Sequence, residues 1–398
     1  MPNLHKLSKL AVLVLLLLVP FVNASAQDDE DRRRAFQLIK DAKYPEAQAL
    51  FEKLAVAHPQ DAAIIENLGL LVMHQATYLP TPEERRKARQ RARELLIKAV
   101  QLGSPNPLTA LIQGIPEDGG TDQTFSTRKE VDDAMREGEA AFGKGDFPKA
   151  VEMYQRALML EPKLYEAALF IGDVYFKSAE QVKAGEWFAR AIQINPDRET
   201  AYRYWGDALM KQGKVTEAGD KFVEAYIAEP YNRLARSGFV SWGDRVNLTL
   251  AHPRVEFPAA VNKKTDNQTT ITLDPNMLDK GDKDGSAAAW VLYSFTRASW
   301  VTSEFAKQYP DEKTYRHSLK EEATAIRAAL KSLEKKGPTS DRSLQILQKL
   351  DKDGLLEAYI LLAMPDAGIA SDFAAYRKTN TENLRRYVKQ YVMTGGGQ

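Results

Sequence analysis

Residues 165–198 read YEAALFIGDVYFKSAEQVKAGEWFARAIQINPDR, and the flanking sequence repeats this stretch. Gly138, Gly172 and Gly206 recur at a spacing of 34 residues. Ala150, Ala184 and Ala218 keep the same period, as do Tyr154, Phe188 and Phe222. Ala157, Ala191 and Ala225 form a fourth series, and Pro162, Pro196 and Pro230 a fifth. A fixed period of this length signals stacked helical hairpins, each unable to bury its apolar face alone. Small residues let two helices approach, and an aromatic fills the gap beside them. Proline lacks the N–H that would continue the second helix, so it ends each hairpin. Gly145 and Gly213 fall at the turns between helices, where glycine tolerates positive φ.

These series resemble the tetratricopeptide repeat family, with repeats at 131–164, 165–198 and 199–232. The middle repeat matches best; the first departs at its eleventh place, Ala141, with Phe142 beside it. The resemblance implies a helical-hairpin solenoid that binds a protein segment in its concave groove. It places the second, fifth, sixth, ninth, twelfth and thirteenth positions of each first helix in that groove. Carried over, these include Met135, Arg136, Glu139 and Phe142 in the first repeat. The second supplies Phe170, Asp173, Phe176 and Lys177, and the third Arg203, Tyr204, Asp207, Met210 and Lys211. Family members that clamp a terminal carboxylate carry asparagine at the ninth place. Here that place holds Glu139, Asp173 and Asp207, and three acids repel a carboxylate. The expected ligand is therefore a protein or peptide with basic and apolar residues. The alternative is a groove filled by the chain's own carboxy-terminal domain.

The amino end forms a second signal. Lys6 and Lys9 precede an apolar run from Leu10 to Val22, and Ala24-Ser25-Ala26 offers small residues before the polar Gln27-Asp28-Asp29-Glu30. This is the pattern of a secretory signal peptide over 1–26, and the run is shorter than the roughly 20 residues that span a bilayer. Export to a bacterial periplasm or to the outside is expected, with no membrane span in the mature chain. The absence of cysteine fits such an exported bacterial protein with a core large enough to need no disulfides. A net charge of +1 argues against nucleic-acid binding.

Ala47, Phe51, Pro59 and Gly69 keep a weaker version of the period, so 27–104 reads as degenerate repeats with an insertion from Thr77 to Lys87. Residues 105–130 read as a linker, being rich in Pro, Gly, Ser and Thr. Residues 233–253 read as a capping helix. The remainder, 254–398, matches no family by motif and reads as a separate, mostly helical domain. It opens with a small β-hairpin, in which Arg254–Phe257 and Thr269–Leu273 alternate apolar and polar residues. Trp290, Tyr293, Arg297, Trp300 and Glu304 share one helix face, and further helices are expected over 314–335, 340–363 and 369–393. The fold class is thus mostly α.

No cofactor, metal or catalytic motif stands out. His317 and Glu321 are spaced for one helix face, a surface pair rather than a metal site. Asp282 and Asp284 before Gly285 read as a turn capping the next helix, not a calcium loop. The run Arg85-Arg86-Lys87, Arg89, Arg91, Arg93 reads as a solvated helix face offset by Glu83, Glu84 and Glu94, with an anionic surface as the functional alternative. The expected function is an exported scaffold for protein–protein interaction. The alternatives are an enzyme whose active site lies in 254–398, recruited by the repeats, and a cell-envelope assembly component.

Overall fold

The computed structural model describes residues 26–395 apart from 123, 266–267, 276–281, 283 and 335. The expected signal peptide lies almost wholly outside these residues. The chain is mostly helical: paired hairpins, a two-stranded antiparallel sheet, then further helices. It divides into two compact units, one ending at Ile194 and one beginning at Asn195.

The first unit opens with two hairpins, α1 (Ala26–Lys40) with α2 (Tyr44–Ala57) and α3 (Ala62–Ala76) with α4 (Pro82–Gln101). Ala47 and Phe51 are buried in one core there, as the weak period requires, with Leu96 of α4 beside them. The expected insertion over 77–87 is smaller in the structure. Thr81 caps α4 with a reciprocal Glu84 bond and Pro82 sits in its first turn, so helix already runs from Pro82. Residues 105–122 are folded onto α4 rather than acting as a linker. They carry a short helix α5 (Thr109–Gln113), and Leu108 and Ile115 are buried in the same core.

The basic run explains this packing. Arg85 is 3% exposed and donates to Asp122 Oδ2 at 2.8 Å and to the Leu79 carbonyl at 2.5 Å. Arg89 binds Asp122 Oδ1 at 2.8 Å and the carbonyls of Gly119 and Gly120. Arg93 reaches the Ile115 carbonyl at 3.1 Å. This face is a clamp on the 115–122 segment, not a solvated stripe, because it meets backbone carbonyls and a half-buried carboxylate.

Next come the first two long-period hairpins, α6 (Lys129–Gly143) with α7 (Phe147–Leu160) and α8 (Tyr165–Lys177) with α9 (Gln181–Ile194). The glycine and aromatic series prove to be two sides of one contact. A Cβ on Gly138 would stand 2.5 Å from Tyr154 Cε1, and one on Gly172 2.5 Å from Phe188 Cδ1. The alanines beside them are fully buried.

The second unit begins with the third hairpin, α10 (Glu199–Lys211) and α11 (Val215–Ala228), followed by α12 (Arg233–Arg245). The sequence-based boundary at 253/254 does not separate domains here. Phe222, Tyr226, Phe239 and Trp242 share one core with Trp290, Leu347, Tyr359, Tyr387 and Val388. Glu224 pairs with Arg385 at 2.5 Å and Asp220 with Lys389 at 2.7 Å.

The sheet pairs β1 (Ala259–Thr265) with β2 (Gln268–Leu273), Ala259 opposite Leu273. The first strand thus starts after Pro258, not at Arg254, because proline has no N–H to give to the ladder. Phe257, expected in the strand, instead packs on Trp290 at 5.3 Å.

Helix α13 (Ser286–Ser299) buries Trp290, Tyr293 and Arg297 on one face, as their spacing predicts, and runs into a π turn at Trp300–Glu304. Asp282 and Asp284 accept from the amides of Ala287 and Ser286, the expected cap. Helix α14 (Leu319–Leu333) starts later than expected because Ser318 caps it. The single helix expected over 340–363 is two, α15 (Arg342–Lys352) and α16 (Leu356–Ala363), broken at Gly354 with φ 70°. Helix α17 (Phe373–Tyr387) and a π turn close the chain.

Candidate peptide-binding face

The residues expected in the groove occupy different environments. In the first unit Met135, Glu139 and Phe170 are buried and do not line an open face. The Tyr154 hydroxyl donates to Glu139 at 2.6 Å, so this acid is committed to its own hairpin. Burial, reinforced by that carboxylate, pushes the Tyr154 pKa well above its ordinary value. Phe170 stands edge-on to Tyr154 at 5.6 Å and to Phe125 at 5.8 Å. Arg136 is half-buried and donates to Asp132 at 2.8 Å.

Phe142 and Phe176 are half-buried, Asp173 likewise, and Lys177 is exposed. Phe142 lies 5.9 Å from Tyr78, which is 5.3 Å from His74, which is 4.4 Å from Tyr44. The Lys177 ammonium lies 6.0 Å from the Tyr44 ring. This row of half-buried rings went unseen in the sequence. Tyr44, His74 and Tyr78 belong to the degenerate hairpins and follow no period.

In the second unit, Arg203 donates to the buried Glu199 at 2.8 Å and lies 4.7 Å from the Tyr204 ring. Burial, opposed by Arg203, pushes the Asp207 carboxyl up to about 6. Met210 packs against the core and Lys211 is exposed. The expected row of three equivalent acids therefore resolves into three unlike groups: Glu139 engaged by Tyr154, Asp173 half-buried, and Asp207 with its carboxyl pushed up by burial.

The tetratricopeptide repeat family model matches residues 135–199. That segment is a tetratricopeptide repeat array. Among solved structures, the first such repeat domain of Spaghetti (RPAP3), bound to an HSP90 peptide SRMEEVD, is 18% identical; the match covers 30% of this chain and 94% of that one, with a TM-score of 0.28. MamA is 20% identical, with 52% and 94% covered and a TM-score of 0.25. YrrB, described as a repeat protein with an unusual peptide-binding site, is 16% identical, with 53% and 92% covered and a TM-score of 0.26. No curated protein matches the chain.

Beyond the repeats, the second unit holds a buried polar cluster. Glu321 and Glu322 are fully buried at the start of α14. Arg297 donates to Glu321 at 2.7 Å and to Glu322 at 2.8 Å, and Tyr293 donates to Glu322 at 2.8 Å. His317 lies 2.9 Å from Glu322 and 2.6 Å from Asp366. Its expected partner Glu321 is bonded instead by Arg297 and Tyr315. The reason is the Ser318 cap: His317 precedes the helix, so the i, i+4 rule does not reach it. Burial raises the Glu321 pKa, whereas His317 and Arg297 overcome burial at Glu322 and lower it. Among the described residues no group of three or more His, Asp or Glu could hold a metal ion, and no helix is long and apolar enough to cross a membrane.

Proposed function

We propose that this protein binds a segment of another protein through the inner faces of its repeat helices. The observation that carries this reading is Phe142 and Phe176, half-buried rings beside Asp173 and Lys177 on adjoining first helices of a repeat array. Rings at a water boundary supply contact area, and neighbouring charges orient the guest. Asp173 favours a partner segment with a basic group beside apolar anchors. Phe176→Ala weakens capture of crosslinked partners more than Asp173→Asn does, and only the acid's share fades as salt rises. Unchanged partners in both variants would show that this is not the binding face.

Export and a scaffold role in the cell envelope belong to the same reading and rest on the amino-terminal sequence. The mature amino terminus is then Gln27. Amino-terminal sequencing of the periplasmic or extracellular fraction tests it, and soluble cytoplasmic protein with Met1 intact would end it.

A second reading makes residues 254–398 an enzyme. Adjacent buried carboxylates of opposite pKa shift facing Arg297 and His317 favour it. Its test is whether Glu321→Gln abolishes an activity found by screening while leaving the unfolding transition in place.

A further inference from the structure

The segment entering α6 runs back over the inner places of the first two repeats. The Phe125 amide donates to Asp132 Oδ1 at 2.7 Å, at the second place of the first repeat. Its ring meets Phe170 at 5.8 Å and the Arg136 guanidinium at 5.6 Å, the sixth places of the two repeats. Three residues earlier, Asp122 accepts from Arg85 and Arg89 at 2.8 Å each and lies 3.9 Å from Arg136. An acid and an aromatic three residues apart thus already fill a space walled by three arginines and a phenylalanine. Fork-shaped donors for a carboxylate beside an aromatic anchor are what a peptide subsite consists of.

We propose that Arg85, Arg89, Arg136 and Phe170 form a peptide subsite for a partner segment of the pattern acid-x-x-aromatic, and that Asp122 and Phe125 occupy it in the resting chain. This rests on the reading that the inner repeat face binds a protein segment, and it specifies part of that segment. Two features support it. Arg85 is buried, so an emptied subsite would strand a guanidinium without its carboxylate. Only a guest that brings its own acid can replace Asp122. Arg85 Nη2 is also buried with no hydrogen-bond partner among the described residues, so the subsite has donor capacity that Asp122 leaves unused.

The arm that carries the occupant is built for the task. Gly119 and Gly120 both adopt positive φ, 80° and 64°, which turns the chain sharply at its start. A side chain on Gly119 would collide with the Arg86 carbonyl. At the far end Ser126 donates to Glu161 at 2.6 Å and Arg128 to the Leu160 carbonyl at 2.5 Å. An occupant tethered at both ends competes at an effective concentration on the order of millimolar. An outside peptide then sees its affinity reduced by the fraction of time the subsite is empty.

The probe is a fluorescent peptide of residues 118–127, DGGTDQTFST, titrated into the full chain and into Phe125→Ala. Phe125→Ala should bind it at least tenfold tighter than the unaltered chain. A peptide with alanine for its own phenylalanine should gain nothing. Equal binding by both proteins, with Phe125→Ala folded by circular dichroism, overturns the proposal and makes the arm a structural strut. Should Phe125→Ala not fold, amide exchange on the unaltered chain decides. Millimolar peptide should accelerate exchange at the Phe125 amide, and an unchanged rate overturns the proposal equally. Loss of the subsite with partner capture still sensitive to Phe176→Ala would sink this inference and leave the proposed function standing.

Discussion

Gly172→Ala adds one methyl where the repeat leaves no room for it. The new Cβ would stand 2.5 Å from Phe188 Cδ1, well inside carbon–carbon contact distance. Phe188 is fully buried, so its ring cannot swing aside into solvent. On an open helix the same change stabilises by about 1 kcal/mol, because glycine gives up more backbone entropy than alanine. Overpacking a tight core costs about 1–3 kcal/mol. At this distance the upper half of that range applies, for a net destabilisation of about 1–2 kcal/mol. Gly206→Ala meets Phe222 at 2.9 Å and should cost less. The decisive assay is urea unfolding of Gly172→Ala in two backgrounds. With Phe188→Leu also present, the ring is gone and the alanine should become stabilising, by up to about 1 kcal/mol. The sign reversal is the signature. A methyl that leaves the midpoint unchanged in the native background, or costs the same in both, would show that Phe188 does not fill the space beside Gly172.

Two histidines of the second unit should impose opposite pH dependences. Burial, with help from Arg236, lowers the His252 pKa to about 4, while its ring nitrogens lie 2.8 Å from the Tyr387 hydroxyl and 3.3 Å from that of Tyr226. The unfolded chain takes up a proton near pH 6.5 that the folded chain refuses until about pH 4, so stability falls across that window as pH drops, by on the order of 3 kcal/mol. His252→Gln should flatten this loss in urea melts, and an unaltered slope would refute it. His317 behaves inversely. Burial disfavours its imidazolium, but bonds to Glu322 and Asp366 outweigh burial and raise the pKa. Its contribution is therefore complete below about pH 6.5 and is lost as pH rises through the raised value. His317→Gln should cost most in mild acid and least in alkali; a pH-independent cost would contradict the assignment.

The repeats were legible because their signal is local and its elements complement each other. Gly172 and Phe188 mark the same contact from two sides, and that pairing recurs with Gly138 and Tyr154. The basic run was legible as a pattern and misleading as a conclusion. Arg85 and Arg89 answer to Asp122 and to carbonyls some thirty residues on, which no helical spacing encodes. The groove positions followed from place numbers alone, but their burial did not. Phe125 occurs once and obeys no period, so nothing in the sequence announced that it lies on Arg136 and Phe170.

The end of the array carries the same lesson about range. A solenoid must hide the apolar side of its last hairpin, and a polar capping helix is the usual means. Helix α12 does part of that work: the Trp242 indole donates to the Val215 carbonyl at 2.9 Å. The rest falls to residues beyond 286, whose rings and leucines merge with Phe222 and Tyr226 into one core. The ion pairs of that union fall on α11, at Asp220 and Glu224, and on the turn before α10, where Arg377 meets Asp197 and the Pro196 carbonyl. The carboxy-terminal helices thus engage the third repeat at its entrance, along its second helix and through its core.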